Sequence, residues 1–355
     1  MVDIHNPRQF AADKILHHLK EVQEWKDGGN PYAITTEIDP TNACNHSCPG
    51  CVGGARKGKG SDRLAYSELQ GILWEIKELG GKAVTFTGGG EPLLNKSTVS
   101  AIEYARLIGL DVGLITNGSR GVYQEYPARE LVDACTWIRI SLDAGTPIMH
   151  QATHGSSDFS EILKNISSMT EYKRREKSRC VIGIGYLTGV GTNNHPDLID
   201  FINCGISTGV DYAQFRPYHI GNAKKNLSDF ETLLDLDDLL SRGTESMQVL
   251  CSRHKYNCIT EGILKPQYGK CYGHQFIAVI EATGDMTLCC HTRGIKNFIL
   301  GNIREKFIIE IWNSDRRREV IKSINLEKCT PLCRADTVNC LLWQMKQEKE
   351  HVNFL

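Results

Sequence analysis

ITTEIDPTNACNHSCPGC, residues 34–51, joins a β-rich run to three cysteines that fall within eight residues. ITTEID (34–39) reads as a strand, because threonine and isoleucine suit a pleated, half-buried backbone. Cys44, Cys48 and Cys51 then follow with C-x3-C-x2-C spacing, and no fourth cysteine stands close by. A closed structural zinc site takes four ligands, usually in C-x2-C pairs. Three thiolates in one tight loop instead suit an iron–sulfur cube with one iron left for a ligand that is not protein. A zinc ion whose fourth ligand is His46 or a tail cysteine is the other reading of the same spacing.

The texture around that loop repeats. KAVTFT (82–87), DVGLIT (111–116), TWIRISL (136–142), VIGIGYL (181–187) and DYAQFRP (211–217) are further strand-like runs. Between them lie helical patterns: Leu69, Ile72, Leu73 and Ile76 share one face, and Phe159, Ile162, Leu163 and Ile166 share another. STVSAIEYARLIG (97–109) reads as a helix too. Repeated βα units imply a parallel sheet with right-handed crossovers. Six units are too few for a closed eight-stranded barrel, so the expected α/β fold is an open, partial (β/α)6 barrel. Its site would lie at the C-terminal ends of the strands.

After about residue 225 a helical stretch, FETLLDLDDLLSR, leads to a cysteine-rich tail. There FIAVIEATGDMTLCC reads as a hairpin turning at Gly284-Asp285, and EKFIIEIWNSDRRREVIKSI as a helix. The expected organisation is an N-terminal helical extension (1–32), a barrel core (33–225), and a smaller C-terminal α+β cysteine-rich domain with its linker helices (226–355). No repeats or low-complexity tracts interrupt it.

The chain has 355 residues, 41% hydrophobic and 23% charged, with a formal net charge of −1. That balance suggests neither nucleic acid nor an acidic membrane surface as a partner. The first twenty residues are amphipathic and charged, without a signal-peptide apolar region, and no run is long enough for a membrane span. Fourteen cysteines in such a chain read as metal or cluster ligands of a cytoplasmic protein rather than as a disulfide framework. Cys135, Cys180 and Cys204 read as small buried hydrophobes.

The second motif is TFTGGGEPLL (85–94), three glycines and an acid at the end of the second strand. Glycines there let a ligand lie against the backbone, and a carboxylate can hold an ammonium group. By themselves they also fit a tight turn into the next helix. No Gly-Lys-Ser/Thr follows, so this is not a phosphate-binding loop of the Walker type. Together, C-x3-C-x2-C after strand one and GGE-P after strand two resemble the radical S-adenosylmethionine (SAM) superfamily, over roughly residues 33–220. The resemblance implies a [4Fe–4S] cluster on Cys44, Cys48 and Cys51, with SAM chelating the fourth iron. It implies that Gly89, Gly90 and Glu91 face the methionyl amine. Ser141 and Asp143, in ISLDAGT, and Asn117, in ITNGS, look like the family's polar positions near the ribose or carboxylate. The family often has an aromatic residue before the third cysteine; here Gly50 stands there, leaving Val52 or Ile184 to Tyr186 to close the adenine pocket. Gln214, Arg216, Tyr218 and His219, in QFRPYH, would crown the barrel mouth as SAM or substrate contacts.

In the tail, Cys271-x12-Gly284-x4-Cys289 resembles the opening of the SPASM or "twitch" extensions, which bind auxiliary [4Fe–4S] clusters. The C-x2-C-x5-C-x3-C run of a full SPASM domain is not matched. With Cys329 and Cys333 from CTPLC, a single auxiliary cluster is expected, and Cys290 and Cys340 are spare thiols, either able to replace a chosen ligand. A zinc ribbon is the alternative. The resemblance further implies an electron donor such as flavodoxin or ferredoxin, and reductive cleavage of SAM to a 5′-deoxyadenosyl radical that takes a substrate hydrogen atom. If Cys251 or Cys258 returns a hydrogen atom, the outcome is epimerisation; otherwise it is oxidation. With about 30 residues before strand one, a small polar substrate of the carbohydrate or natural-product type is expected. The alternatives are maturation of a ribosomal peptide or protein and, from another class, a non-catalytic zinc-binding protein.

Overall fold

The structure is a computed structural model that describes residues 12–51, 62–119, 128–189, 195–218, 236–330, 332–348, 350, 351 and 353. Val52, His219 and the start of FETLLDLDDLLSR lie outside the described residues. One ten-stranded sheet organises the chain. Its strands are β1 (Thr35–Ile38), β2 (Ala83–Phe86), β3 (Asp111–Thr116), β4 (Trp137–Ser141), β5 (Val181–Thr188), β6 (Tyr212–Pro217), β7 (Gln248–Cys251), β8 (Ile277–Ile280), β9 (Asp285–Thr287) and β10 (Ile299–Asn302). The order is β10-β9-β8-β1-β2-β3-β4-β5-β6-β7. From β8 through β1 to β7 every pairing is parallel, and β9 and β10 add antiparallel strands at the edge.

The six expected strands are present in sequence order, and two features go beyond them. QVLC, placed by its sequence in the linker, is a seventh strand that pairs Phe215 with Cys251; four residues are too short a run to show a period. The expected hairpin forms at β8–β9, with Gly284 at φ +84°, a left-handed angle that glycine adopts without strain. β8 also pairs residue for residue with β1, from Thr35↔Ile277 to Ile38↔Ile280. The sheet therefore runs across the expected boundary near residue 225.

Alternation along the strands sorts the interior. Val84, Phe86, Val112, Leu114, Ile138, Ile140, Ile182 and Ile184 are fully buried in one core with Leu69, Leu73 and Ile76 of helix Tyr66–Glu78 and Ile162 and Ile166 of helix Phe159–Glu176. Both helical faces read from the sequence are the packed faces. EKFIIEIWNSDRRREVIKSI forms two helices, Ile308–Trp312 and Asp315–Lys322, because Ser314 accepts a hydrogen bond from Arg317 N and starts a new helix. At the N-terminus, Val22 and Trp25 of helix Leu19–Lys26 pack with Phe276 and with Leu342 of helix Asp336–Lys346. Among the described residues no helix is long and apolar enough to cross a membrane.

A buried ionic cluster fastens the C-terminal strands to β1. Glu37 and Asp39 are 2% and 1% exposed. Arg293 donates to Glu37 Oε2 at 2.7 Å and to both Asp39 oxygens at 2.7 and 3.0 Å, and Arg334 pairs with the other Glu37 oxygen. Removing one member of a buried ion pair strands its partner's charge, at about 3–5 kcal/mol. Arg293→Ala should therefore lose stability of that order in denaturant unfolding, far more than Arg318→Ala, whose guanidinium pairs with exposed Asp315.

His274 is also buried. Burial first, and then the charge of Arg317, hold its pKa down at about 3. The unfolded chain thus takes up a proton near pH 6.5 that the fold refuses. Stability is complete above about pH 6.5 and falls as the pH drops toward 3, by at most about 1.4 kcal/mol per unit. His274→Phe should flatten the stability profile between pH 4 and 6.5.

Candidate functional site

The cysteine loop is held against the glycine-lined end of β2. Glu91 N donates to Ala43 O at 2.8 Å, and Thr41 Oγ1 accepts from Ala43 N at 3.1 Å. A Cβ on Gly90 would lie 2.0 Å from Ala43 O, and one on Gly89 would lie 2.5 Å from Asn42 Oδ1. Gly90 therefore makes room for the loop's own backbone, and Gly89 for the Asn42 side chain. Asn117 Nδ2 donates to Asn45 Oδ1 at 2.8 Å, tying the loop to the end of β3 as well. Glu91, 2% exposed, accepts from Leu93 N (3.1 Å), Thr116 Oγ1 (2.7 Å) and Asn117 N (2.8 Å). Burial pushes its pKa up while those donors pull it down. Its carboxylate is thus tied to the start of the turn after β2 and to the end of β3.

A histidine–aspartate network backs the loop, which the cysteine motif alone does not foretell. His46 Nε2 meets Asp158 Oδ2 at 2.9 Å, and His46 Nδ1 meets His154 Nδ1 at 3.0 Å. His154 Nδ1 is also 3.6 Å from Cys48 Sγ, and its Nε2 is 3.1 Å from Asp143 Oδ2. Burial pulls the His154 pKa down, but Asp143 and Cys48 outweigh it and push it up to about 10. Burial likewise raises the Cys48 thiol, and the His154 and His46 contacts bring it down to about 6. The available signal was the H-x3-H spacing of His150 and His154, which puts both on one helical face.

Asp143 does not present a free carboxylate toward a ribose. Its Oδ1 accepts from Leu187 N at 2.6 Å and its Oδ2 meets His154, with the residue at φ +49°. Ser141 ends β4 in register with Gly185 of β5, which in turn faces Gln214 of β6. A Cβ on Gly185 would lie 3.4 Å from Arg216 Nη2 and 3.5 Å from Arg139 Cδ, so both guanidiniums reach the inner face. Gln214 Oε1 and Arg216 Nε are buried without a hydrogen-bond partner, the condition a bound polar ligand relieves.

Three assignments change with the fold. Tyr186 faces the helical layer: its hydroxyl donates to Asp197 Oδ2 at 2.7 Å and its ring packs on Phe201 and Phe215. It is a core residue, not an adenine contact, because side chains alternate along β5. Cys251 stands opposite Phe215 on that same face, 2% exposed and in the core, so it is not a donor in the barrel. Cys258, on helix Arg253–Thr260, lies beside His254, with Sγ 3.8 Å from Nε2, and near Asp336 and Cys340. It faces the C-terminal helix rather than the lumen.

The auxiliary cysteines do converge. The charges of Cys271 and Cys289 act on Cys329, and those of Cys329 and Cys271 act on Cys333. Burial first, then this mutual repulsion, push Cys329 up to about 11 and Cys333 up to about 12. A bound metal reverses such shifts by holding the thiolates directly. Burial first, then the charge of Cys289, push Cys290 up to about 12, and the charges of Arg293 and Lys255 oppose the shift. Lys255 is pulled down to about 8 by burial and by Arg216, and it links the inner-face cations to these thiols. A tetrahedral zinc with Zn–S of about 2.3 Å needs sulfurs about 3.8 Å apart. Among the described residues, the set of three or more ligand atoms within 4.8 Å of one another is His46, His150 and His154.

The architecture and the two cysteine sites define a parallel α/β barrel protein with two iron–sulfur positions. Residues 38–202 match the radical SAM superfamily and residues 271–340 the iron–sulfur cluster-binding SPASM domain, so the chain carries a radical SAM domain followed by a SPASM domain. Its cofactors are accordingly SAM, the [4Fe–4S] cluster that binds it, and an auxiliary [4Fe–4S] cluster. The chain is 34% identical to a PqqA peptide cyclase of Bradyrhizobium diazoefficiens over 89 residues, 25% of this chain and 23% of that protein. It thus spans about a quarter of the length of the curated relatives it matches. It shares its fold with SuiB of Streptococcus suis bound to precursor peptide SuiA (TM-score 0.67, 15% identity, 98% of this chain and 81% of that one). Native anSMEcpe with bound AdoMet has the same fold (TM-score 0.60, 18% identity, 88% of this chain and 95% of that one).

Gly90→Ala should abolish iron loading of the first site, read as loss of about half the iron, because the loop must leave the β2 end to admit a methyl group. Gly71→Ala is the control. Nothing lies within 4 Å of its Cβ in helix Tyr66–Glu78, and it should gain about 0.5–1 kcal/mol.

Proposed function

We propose that this chain is a peptide-modifying radical SAM enzyme. The observation that carries the reading is the 34% identity over 89 residues to a PqqA peptide cyclase. The fold held in common with SuiB, a protein seen with its precursor peptide, is compatible with it. A peptide replaces the small polar substrate expected from the sequence. In this reading Cys44, Cys48 and Cys51 hold the SAM-binding cluster, and Cys271, Cys289, Cys329 and Cys333 hold the auxiliary one. When bound, the cluster and SAM supply one-electron cleavage and a strong acceptor for a substrate hydrogen atom.

The chain's own residues arrange the rest. The glycine backbone at Gly89 and Gly90 offers the surface for the methionyl amine. Ser141, Gln214 and Arg216 face the same inner surface, where Gln214 Oε1 and Arg216 Nε await a polar ligand. Arg139, Arg216 and Lys255 make the lumen cationic, which favours negatively charged clusters and carboxylates. The outward position of Cys251 and the lateral one of Cys258 remove the thiols that would return a hydrogen atom, which supports net oxidation over epimerisation. The electron comes from a donor of the flavodoxin or ferredoxin kind.

The test is anaerobic reconstitution with iron and sulfide counting, on wild type and on a variant with Cys44, Cys48 and Cys51 all changed to Ala. About half the iron should be lost, along with all SAM cleavage under dithionite. Peptides encoded beside the gene should then lose two hydrogen atoms by mass, with one 5′-deoxyadenosine formed per product. Full iron retention in the triple variant, or colourless protein holding zinc, sinks the reading.

A further inference from the structure

His154 closes helix Pro147–His154 and is 4% exposed. Proton positions around it follow from its partners. Asp143, accepting from Leu187 N, takes the His154 Nε2–H at Oδ2. His46 gives its Nε2–H to Asp158, which leaves His46 Nδ1 an acceptor. The proton on His154 Nδ1 is therefore shared between His46 Nδ1 at 3.0 Å and Cys48 Sγ at 3.6 Å. The ring thus bridges the Asp143 carboxylate at Nε2 and the Cys48 sulfur at Nδ1.

The ring has little freedom to turn away. Ser47 N donates to His154 O at 2.9 Å. Gly155 follows at φ +61°, where a Cβ would lie 2.5 Å from Ser47 Oγ. His150 stacks on the ring at 4.6 Å with an 11° interplanar angle, and is itself 3.1 Å from Asp158 Oδ1. The helix end and the cysteine loop are thus joined at the backbone, at the side chains and by close packing.

We propose that His154, backed by Asp143, is a positioning residue for the first cluster, and that its Nδ1–H hydrogen bond to the Cys48 sulfur raises that cluster's reduction potential. The proposal rests on the reading that Cys48 is a cluster ligand. Hydrogen bonds to ligand sulfurs stabilise the more negative, reduced cluster and so make one-electron reduction easier.

The experiment is an EPR-monitored redox titration with dithionite of the anaerobically reconstituted full chain. It compares wild type, His154→Leu, His154→Gln and Asp143→Asn, with iron and sulfide counted in each. The first cluster is the one whose signal changes when SAM is added, and the auxiliary signal serves as an internal reference. His154→Leu should shift the first midpoint potential negative, while His154→Gln, which keeps a neutral donor, shifts it less. Asp143→Asn should fall between Gln and wild type, and the auxiliary potential should stay put. An unchanged first potential in fully loaded His154→Leu overturns the proposal. So does an unchanged potential with SAM no longer altering the signal, which would make the ring a SAM contact instead. If His154→Leu takes up no iron at the first site, the Gln and Asn variants are judged by the same shift. Full iron retention in Cys48→Ala would instead refute Cys48 as a ligand, a separate failure.

Discussion

Arg293, buried between Glu37 and Asp39, sets the relation between the two halves of the molecule. The two acids lie on and just after β1, immediately before the first cysteine loop. The guanidinium lies three residues past Cys290, and Arg334, on the other Glu37 oxygen, directly follows Cys333. One strand therefore indexes both cysteine sets. Two carboxylates at this depth are tolerable only when paired, so the interaction holds in one geometry. The parallel pairing of β8 with β1 repeats the same constraint through the backbone.

Around that anchor the electrostatics are graded. On the side of the first loop, acids collect the positive charge: Asp143 and Asp158 hold His154 and His46. Toward the auxiliary cysteines the balance reverses. Arg139, Arg216 and Lys255 approach one another closely enough for like charge to add to burial in lowering the pKa of Arg139 and Lys255. Burial also raises the thiols nearest them. The cationic side suits a cavity that receives anionic cofactors and a polar ligand.

Much of the candidate site was legible because its signals are local. The spacing of Cys44, Cys48 and Cys51, the glycine run and the Cys271–Cys289 pattern each lie within a short stretch, and the structure holds the first cysteine loop against the glycine-lined end of β2. The losses have a common origin. Glu91 and Asp143 are acids in the expected loops whose oxygens also bond Thr116, Asn117, Leu187 and His154, partners that no short motif contains. Tyr186 lies in an expected strand and Cys251 in one read from the sequence as linker, and both face the helical layer, since one step along a strand exchanges the lumen for that layer.

By itself the sequence determined the repeated βα order, the helical faces, the three-cysteine loop and the chemistry its unfilled fourth position invites. All of these rest on covalent spacing and on periods of 2 and 3.6 residues. Only the tertiary structure decided that QVLC is a strand, that the tail continues the barrel sheet, that Gly90 accommodates the loop's own backbone and Gly89 the Asn42 side chain, and that His154 reaches Cys48 from 106 residues away. Such contacts are made between residues with no fixed distance along the chain, so their energies appear only when burial forces each polar atom to find a partner.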